Sequence, residues 1–496
     1  MKTLRQLAAP APGPTSASGA NPLEKLRAFL DDRSMKPKGG RAFADFEKEL
    51  HERLMAVERD VIAKEMAKLD VDVEAIVIDG KVHRRVLRRA QTYMTAAGDV
   101  VVERTLYKDR RDAGGRCVSP MELALGVVGD FWTPRAAQQA LWVVTQMTPR
   151  KAEELFERVG NMGPSKSSLG RLPKVIQEQW EPNREVFELA LREGLQVPEG
   201  TTTIAVSIDG VYAPMDDTEV TRSREAAAAE GRMTKGPLGY REVGCGTISF
   251  CDREGEVLGA IRMARAPEYK KETLKQMVAA EVEAILHSRP DLRLLKLADG
   301  VVDNWTFLSN KLPPGEELID FFHASEHVHD AIASVYGDAT LETQFRAGKL
   351  CESLRDDVDG VAKVIRAMQH LAKKHPGKLV RRAHIYFRTN RKRMNYAALA
   401  ARGFPIGSGV VEAACKTLVT QRMKLSGMRW STSGAQAILT PRGWDQSERF
   451  DEAWALIAST FQVDVIVLAN VLALRPPRPS TTKKTSDPPR RRPASR

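Results

Sequence analysis

No two of the five cysteines (Cys117, Cys245, Cys251, Cys351, Cys415) stand as a C-x-x-C pair. That scatter argues against a zinc ribbon and against a disulfide-stapled framework. No run of about 18 apolar residues occurs, the length a membrane helix needs. The nearest approach, 463–474, is shorter and is interrupted by Asp464. The opening MKTLRQLAAPAPGPTSASGANP has one brief apolar patch followed by Pro, Ser and Gly, and lacks the apolar core of a secretory signal. A cytoplasmic chain with no membrane partner is the expectation. Disorder throughout is excluded by 42% hydrophobic against 28% charged residues. A length of 496 residues suits two to four domains with cores of ordinary size.

Acidic charge is what one long stretch lacks. The chain carries +12 formally, but residues 471–496 hold eight Lys/Arg against one Asp, and residues 1–22 add Lys2 and Arg5. Only +3 remains for everything between. Within that nearly neutral middle, 360–411 contains twelve Lys/Arg and no Asp or Glu. Such a block can be a solvated helix face. Fifty-two residues without a carboxylate favour a polyanion surface, because phosphate contacts are what such charge serves.

Both ends read as disordered tails, 1–22 and 475–496. From Pro22 to Leu69 the apolar spacing is helical. Over 92–107 the period falls to two, and TYMTAAGDVVVERTLY predicts a hairpin turning at Ala96–Asp99. Helical spacing returns from Pro120 to about Glu193. Within it, 148–180 holds a helix, a Gly-containing turn and a second helix opened by Ser165, with Lys166, Ser168 and Arg171 early in it. That is the spacing of a DNA-reading helix-turn-helix, and equally of a plain helical hairpin. A mainly helical N-terminal region, 23–200, is expected to bind DNA.

Strands enter at Thr201. TTTIAVSIDG predicts a strand ending at Asp209; GYREVGCGTISFCD and GEVLGAIRMAR predict two more. A helix over Glu272–His287 leads to LRLLKLADG, a buried strand ending at Asp299, and GEELIDFFHASEH is a strand running into a helix. Helical patterns fill about 328–400, and GSGVVEAACKTLVTQRM is a helix carrying Glu412. Three strands in a meander, then helix, strand, helix, strand, predict an α/β domain over 201–474. Its expected core is a ribonuclease-H-like mixed sheet with a helical insertion.

Asp209 and Asp299 each close an apolar strand and each precede a glycine. A single Asp-Gly after a strand is usually a turn signal. Two of them, in strands predicted to be central, point to the carboxyl ends where ligands collect in α/β sheets. Glu412 stands as the sole acid between Asp359 and Asp445. Three converging carboxylates can hold two Mg²⁺ (or Mn²⁺) ions, hard cations that polarise phosphates. The run Asp320-x-x-His323-x-x-x-His327-x-His329 could be a metal cluster, though such histidines more often pack or hydrogen-bond.

The segments SIDGVYAPM, LADG, DFFHASEHV and GFPIGSGVVEAACKTLVTQRMKLSGMRWS resemble the bacterial insertion-sequence transposases of the ISKra type, distant relatives of the Mutator-like group. The resemblance runs from about Thr92 to Trp454 and is densest at IGSGVVEAACK. It implies a DDE active site on a ribonuclease-H-like fold, with Asp209, Asp299 and Glu412 as the metal-binding acids. The family's D-x-x-H is matched by Asp320 and His323, in a role supporting those ligands. A helical insertion lengthens the gap to the last acid in the family; here it is 113 residues. Relatives often carry a cysteine pair after the N-terminal hairpin, whereas KDRRDAGGRCVSP has Cys117 alone, so no zinc is expected.

The reading that follows is a DDE transposase that binds terminal inverted repeats and carries out metal-dependent hydrolysis and strand transfer on double-stranded DNA, as a homo-oligomer on element ends and target. A ribonuclease-H-like nuclease without strand transfer and a non-catalytic DNA-binding derivative are the alternatives. The expected DNA contacts are Lys166 and Arg171 in the reading helix, Arg388, Arg391, Lys392 and Arg393 in the basic block, and Lys416 and Arg422 beside Glu412. The basic C-terminal tail should add affinity without sequence preference. Deleting 475–496 is expected to flatten the salt dependence of DNA binding by about 0.9 in slope per lost phosphate contact, with sequence preference retained. Gel-shift titrations at several salt concentrations measure both, and loss of preference would place the reading element in the tail.

Overall fold

A computed structural model describes residues 21–32, 40–112, 114–216, 218–231, 237, 239–407 and 409–467. Apart from Asn21 and Pro22, the two tails lie outside the described residues. The strands among the described residues are β1 (Ala75–Ile78), β2 (Lys81–Thr95), β3 (Gly98–Lys108), β4 (Thr203–Pro214), β5 (Tyr240–Cys251), β6 (Val257–Arg265), β7 (Arg293–Ala298), β8 (Glu316–Ile319) and β9 (Val465–Val467). No described helix is long and apolar enough to cross a membrane.

The chain divides into two compact units. Among the described residues, one comprises those within 21–92, 100–125 and 462–467, the other those within 93–99 and 126–461. In the first, the Asn21 side chain accepts from Leu23 N and caps the helix Pro22–Asp31. That helix packs on the helix Gly40–Lys68, where Phe29 stacks on Phe46 and Arg53 lies over Phe29. Its sheet has the order β3-β2-β1-β9, with β9 antiparallel to β1 (Ile76↔Val467). Ile76, Ile78, Tyr107 and Val465 form its small core. The expected hairpin is present, with β2 starting eleven residues earlier than the sequence pattern suggested. Most of that extra length is exposed on both faces, so it carries no alternation of apolar and polar residues to read.

The expected boundary near residue 200 is not where the units part. Helices Pro134–Gln146 and Lys166–Glu193 share a core with the helices Thr432–Gln446 and Phe450–Ser459, centred on Trp180, Trp444 and Phe450. Tertiary packing joins these distant segments within the second unit, while β9 extends the sheet of the first.

The second unit is α/β: a five-stranded mixed sheet of order β6-β5-β4-β7-β8, covered by helices. β4 pairs antiparallel with β5 and β5 with β6, whereas β4 and β7, and β7 and β8, run parallel. The meander and the helix–strand alternation thus follow the expected order. The central strand β4 is buried on both faces over Ile204–Ile208, as a strand covered from both sides must be. After β8 come the helices Phe321–Tyr336, Leu341–Asp356, Gly360–Lys374, Lys378–Asn390 and Tyr396–Ala400, whose inner residues join the core of the sheet. The chain then returns as a helix from Gly409 that packs Val411, Ala414 and Leu418 against Ala213, Val243 and Ala264.

One charged contact is buried in this unit. Arg449 Nη1 donates to Glu281 Oε1 at 2.9 Å and Arg449 Nη2 to Glu281 Oε2 at 3.3 Å, with the side chains 9% and 5% exposed. Glu281→Leu should destabilise by about 3–5 kcal/mol by stranding the guanidinium, and Glu281→Leu with Arg449→Leu by much less. Urea unfolding of the three proteins measures both; equal losses in single and double variants would show that the pair does not act as a unit.

Candidate functional site

Three acids stand in register on three adjacent strands. The last parallel pair of β4 and β7 is Ser207↔Leu297, so Asp209 and Asp299 both lie two residues beyond it. The last pair of β7 and β8 is Ala298↔Ile319, so Asp299 and Asp320 both lie one residue beyond. The expected strand end at Asp209 needs correcting. β4 continues to Pro214, paired with β5, and it is β7 that stops. Nor do the following glycines reverse the chain, since neither has a positive φ. They permit close approach instead: a Cβ on Gly300 would stand 2.5 Å from Tyr386 Cε2 and one on Gly210 2.3 Å from Glu242 Oε1.

Each carboxylate is held by particular partners. Burial pushes Asp209 above the usual carboxylate range; Asp299 adds to this, against the Gly210 backbone N–H, Lys271 and His323. Cys415 Sγ donates to Asp209 Oδ2 at 3.7 Å. Lys271 is paired with Glu242 at 2.8 Å, and both it and Lys270 have left-handed backbone, a strain that surrounding structure must hold. Asp299 Oδ1 accepts from Val301 N at 3.2 Å and Asn304 Nδ2 at 3.1 Å. The same Nδ2 donates to the carbonyl of Ile208 at 3.3 Å, tying β4 to Asp299. Asn304 is 2% exposed, and its Oδ1 has no hydrogen-bond partner among the described residues.

Asp320 is fully buried and caps the helix it precedes, accepting from His323 N at 2.8 Å. His323 Nδ1 stands 3.3 Å from Asp320 Oδ1 and 4.0 Å from Glu412 Oε1. The hydrogen bond to Asp320 raises the imidazole to about 9, so at neutral pH it is an imidazolium between two carboxylates. Glu412, half exposed, is raised by desolvation and then by Asp320, with His323 opposing. Ligand atoms of Asp320, His323 and Glu412 all lie within 4.8 Å of one another, close enough for one cation. Asp320 and His323 thus stand directly beside Glu412. The helix of Glu412 is α-helical over Gly409–Ala414 and π-helical over Cys415–Thr420, an irregularity frequent at functional sites.

The basic residues divide. Lys166 and Arg171 are exposed on the helix Lys166–Glu193, which Ser165 caps and which follows the helix Pro149–Val159 and a left-handed Gly160. Arg388, Arg391, Lys392 and Lys416 are exposed. Arg393 is built into the fold, bonded to Glu317 Oε2 at 2.6 Å and lying over Trp305. Arg422 cannot be a surface contact: it is 2% exposed, lies over Trp430, and burial lowers it to about 10. Helix periodicity turned it inward, where charge alone suggested DNA. Of the aromatics in the basic block, Phe387 and Tyr396 are core residues. Tyr386 lies against His327 with ring centroids 3.9 Å apart and planes tilted by 39°. Its hydroxyl is pushed upward by burial and by Asp299 and Asp320. Cys117 is exposed and unpaired with another cysteine.

Asn304, Cys415, Lys271 and Tyr386 belong to the site and were not singled out for it from sequence. Cys415 lies within the segment IGSGVVEAACK and the other three in no quoted motif; proximity to the acids is what reveals all four. No family model and no curated protein sequence matches the chain.

Gly300→Ala tests the wall of the site. Its methyl would press on the Tyr386 ring, and such overpacking costs about 1–3 kcal/mol. Replacing Tyr386 with Leu in the same chain should recover part of that loss. Thermal unfolding of the single and double variants decides, and an unaltered Gly300→Ala would mean that the ring yields freely.

Proposed function

We propose that the chain is a DDE-type transposase with a ribonuclease-H-like catalytic core, acting on double-stranded DNA. The observation that carries this reading is the in-register placement of Asp209, Asp299 and Asp320 at the ends of parallel pairing, with Glu412 brought in by a helix. A sheet ordered β6-β5-β4-β7-β8, with only its outer meander antiparallel, is the arrangement expected of that core.

The donor set fits divalent cations of the Mg²⁺ or Mn²⁺ kind: carboxylate oxygens in excess, and a buried amide oxygen on Asn304 without a partner. Asp209 and Asp299 would hold one ion; Glu412, with Asp320 and His323, would hold a second, and a nitrogen ligand there suits Mn²⁺. When bound, such ions polarise phosphoryl oxygens and supply an activated water or 3′-hydroxyl. The protein's own contribution is positioning. Asn304 fixes Asp299, and Asp320 fixes His323.

DNA must be held near these acids, and the insertion supports that task. Its helix Lys378–Asn390 turns Val380, Ala383 and Phe387 inward and Arg381, Arg382 and Arg388 outward. Tyr386, on the same helix, touches the site at Gly300. Four of the twelve basic residues are neutralised by Asp357, Asp359, Glu316 and Glu317 from outside the block. The eight from Lys373 to Lys392 make no ion pair among the described residues.

Asp209→Asn should reduce Mn²⁺-dependent cleavage of the DNA flanking the coding sequence to background and leave binding near the parent's, because Asn keeps the shape but not the charge. Retained cleavage would remove Asp209 from the site. Changing Arg388, Arg391 and Lys392 to Ala should weaken binding to matched and unmatched DNA alike and lower the salt slope, with the fold intact. Cleavage products joined through a free 3′-OH distinguish a transposase from a nuclease.

A further inference from the structure

Cys415 follows Glu412 by three positions, so both lie on one side of the same helix. Its Sγ donates to Asp209 Oδ2 at 3.7 Å. It is 8% exposed and packs beside Cys245, the residue paired with Asp209 across β4 and β5. One side chain therefore joins Asp209, its cross-strand neighbour and the helix of Glu412. At Cys415 α-helical bonding gives way to π-helical bonding. As filler between apolar residues, valine would serve as well as cysteine. Valine cannot donate a hydrogen bond.

Resting on the metal-dependent reading above, we propose that Cys415 is a positioning residue for Asp209. Its S–H engages Oδ2 and so fixes the rotamer in which the Asp209 carboxylate would meet a cation. Through the shared helix it also couples the placement of Asp209 to that of Glu412. The role is distinct from ligation: a thiol that donates a proton to the carboxylate is not itself a cation ligand.

The test uses the full chain without DNA and Mn²⁺ alone as probe, titrated by calorimetry and by loss of the free-ion paramagnetic resonance signal. Groups that orient metal ligands are typically worth about 10- to 100-fold in affinity. A thiol is a weak donor, so Cys415→Ala and Cys415→Val should bind Mn²⁺ about tenfold more weakly, at the lower end of that range. Their circular dichroism should be unchanged, and Cys415→Ser, which keeps a donor, should recover most of the affinity. Independently of metal, the S–H Raman band that disappears in Cys415→Ser should move to higher wavenumber in Asp209→Ala. Parent-like Mn²⁺ affinity in Cys415→Val, or an unmoved band, overturns the positioning role and leaves the metal reading standing. If the parent protein binds no Mn²⁺, the metal reading falls and this proposal falls with it.

Discussion

Carboxylates repel, and Asp209, Asp299, Asp320 and Glu412 lie within one another's field at one end of the mixed sheet. Strand register gathers the first three, and nothing in β-sheet formation itself favours that arrangement. What offsets it is a set of donors aimed at each acid: the Gly210 amide and the Cys415 thiol at Asp209, Asn304 at Asp299, His323 at Asp320. Removing such a donor leaves a buried charge poorly compensated, which is costlier than never having built the contact. The surrounding helices are needed because they carry those donors. Asn304 comes from Val302–Lys311, His323 from Phe321–Tyr336, Cys415 from the helix that returns after the insertion.

The same constraint explains the two-sided character of the insertion. Facing inward, Phe387 and Tyr396 complete the core, and Tyr386 with His327 closes the wall beside Gly300. Facing outward, arginines and lysines stand clear of the core. Those that would crowd the fold are paired with acids from neighbouring segments, as Arg393 is with Glu317 and Lys363 with Asp357. A stretch without acid in its own sequence is thus only partly unneutralised in three dimensions.

Sequence carried the succession of strands and helices, and Asp299 just past a strand end, because apolar runs of strand length, separated by helical patterns, have few ways to assemble. It also located Ser165 as a cap and Glu412 on a helix. It failed where tertiary packing decides. Arg422 reads as a surface cation and is buried; β9 reads as the end of the catalytic domain and pairs with β1. The glycines after Asp209 and Asp299 read as turns, although β4 runs on through Gly210 and the space at Gly300 is filled by Tyr386. The contacts of Asn304 and of Cys415, the latter within IGSGVVEAACK, were illegible because a hydrogen bond to a distant acid leaves no pattern along the chain.

The imidazole of His323 brings these strands together. With Nδ1 protonated, it sits as a positive charge between Asp320 and Glu412 and allows two carboxylates to approach without a metal. A divalent cation at the same three residues would supply that charge instead, and Nδ1 could become a ligand only by giving up its proton. Proton and cation therefore compete for one place. On the metal-dependent reading, a bound cation would change the chemistry at Glu412, whose carboxylate would exchange a neighbouring imidazolium for a metal able to polarise a phosphate.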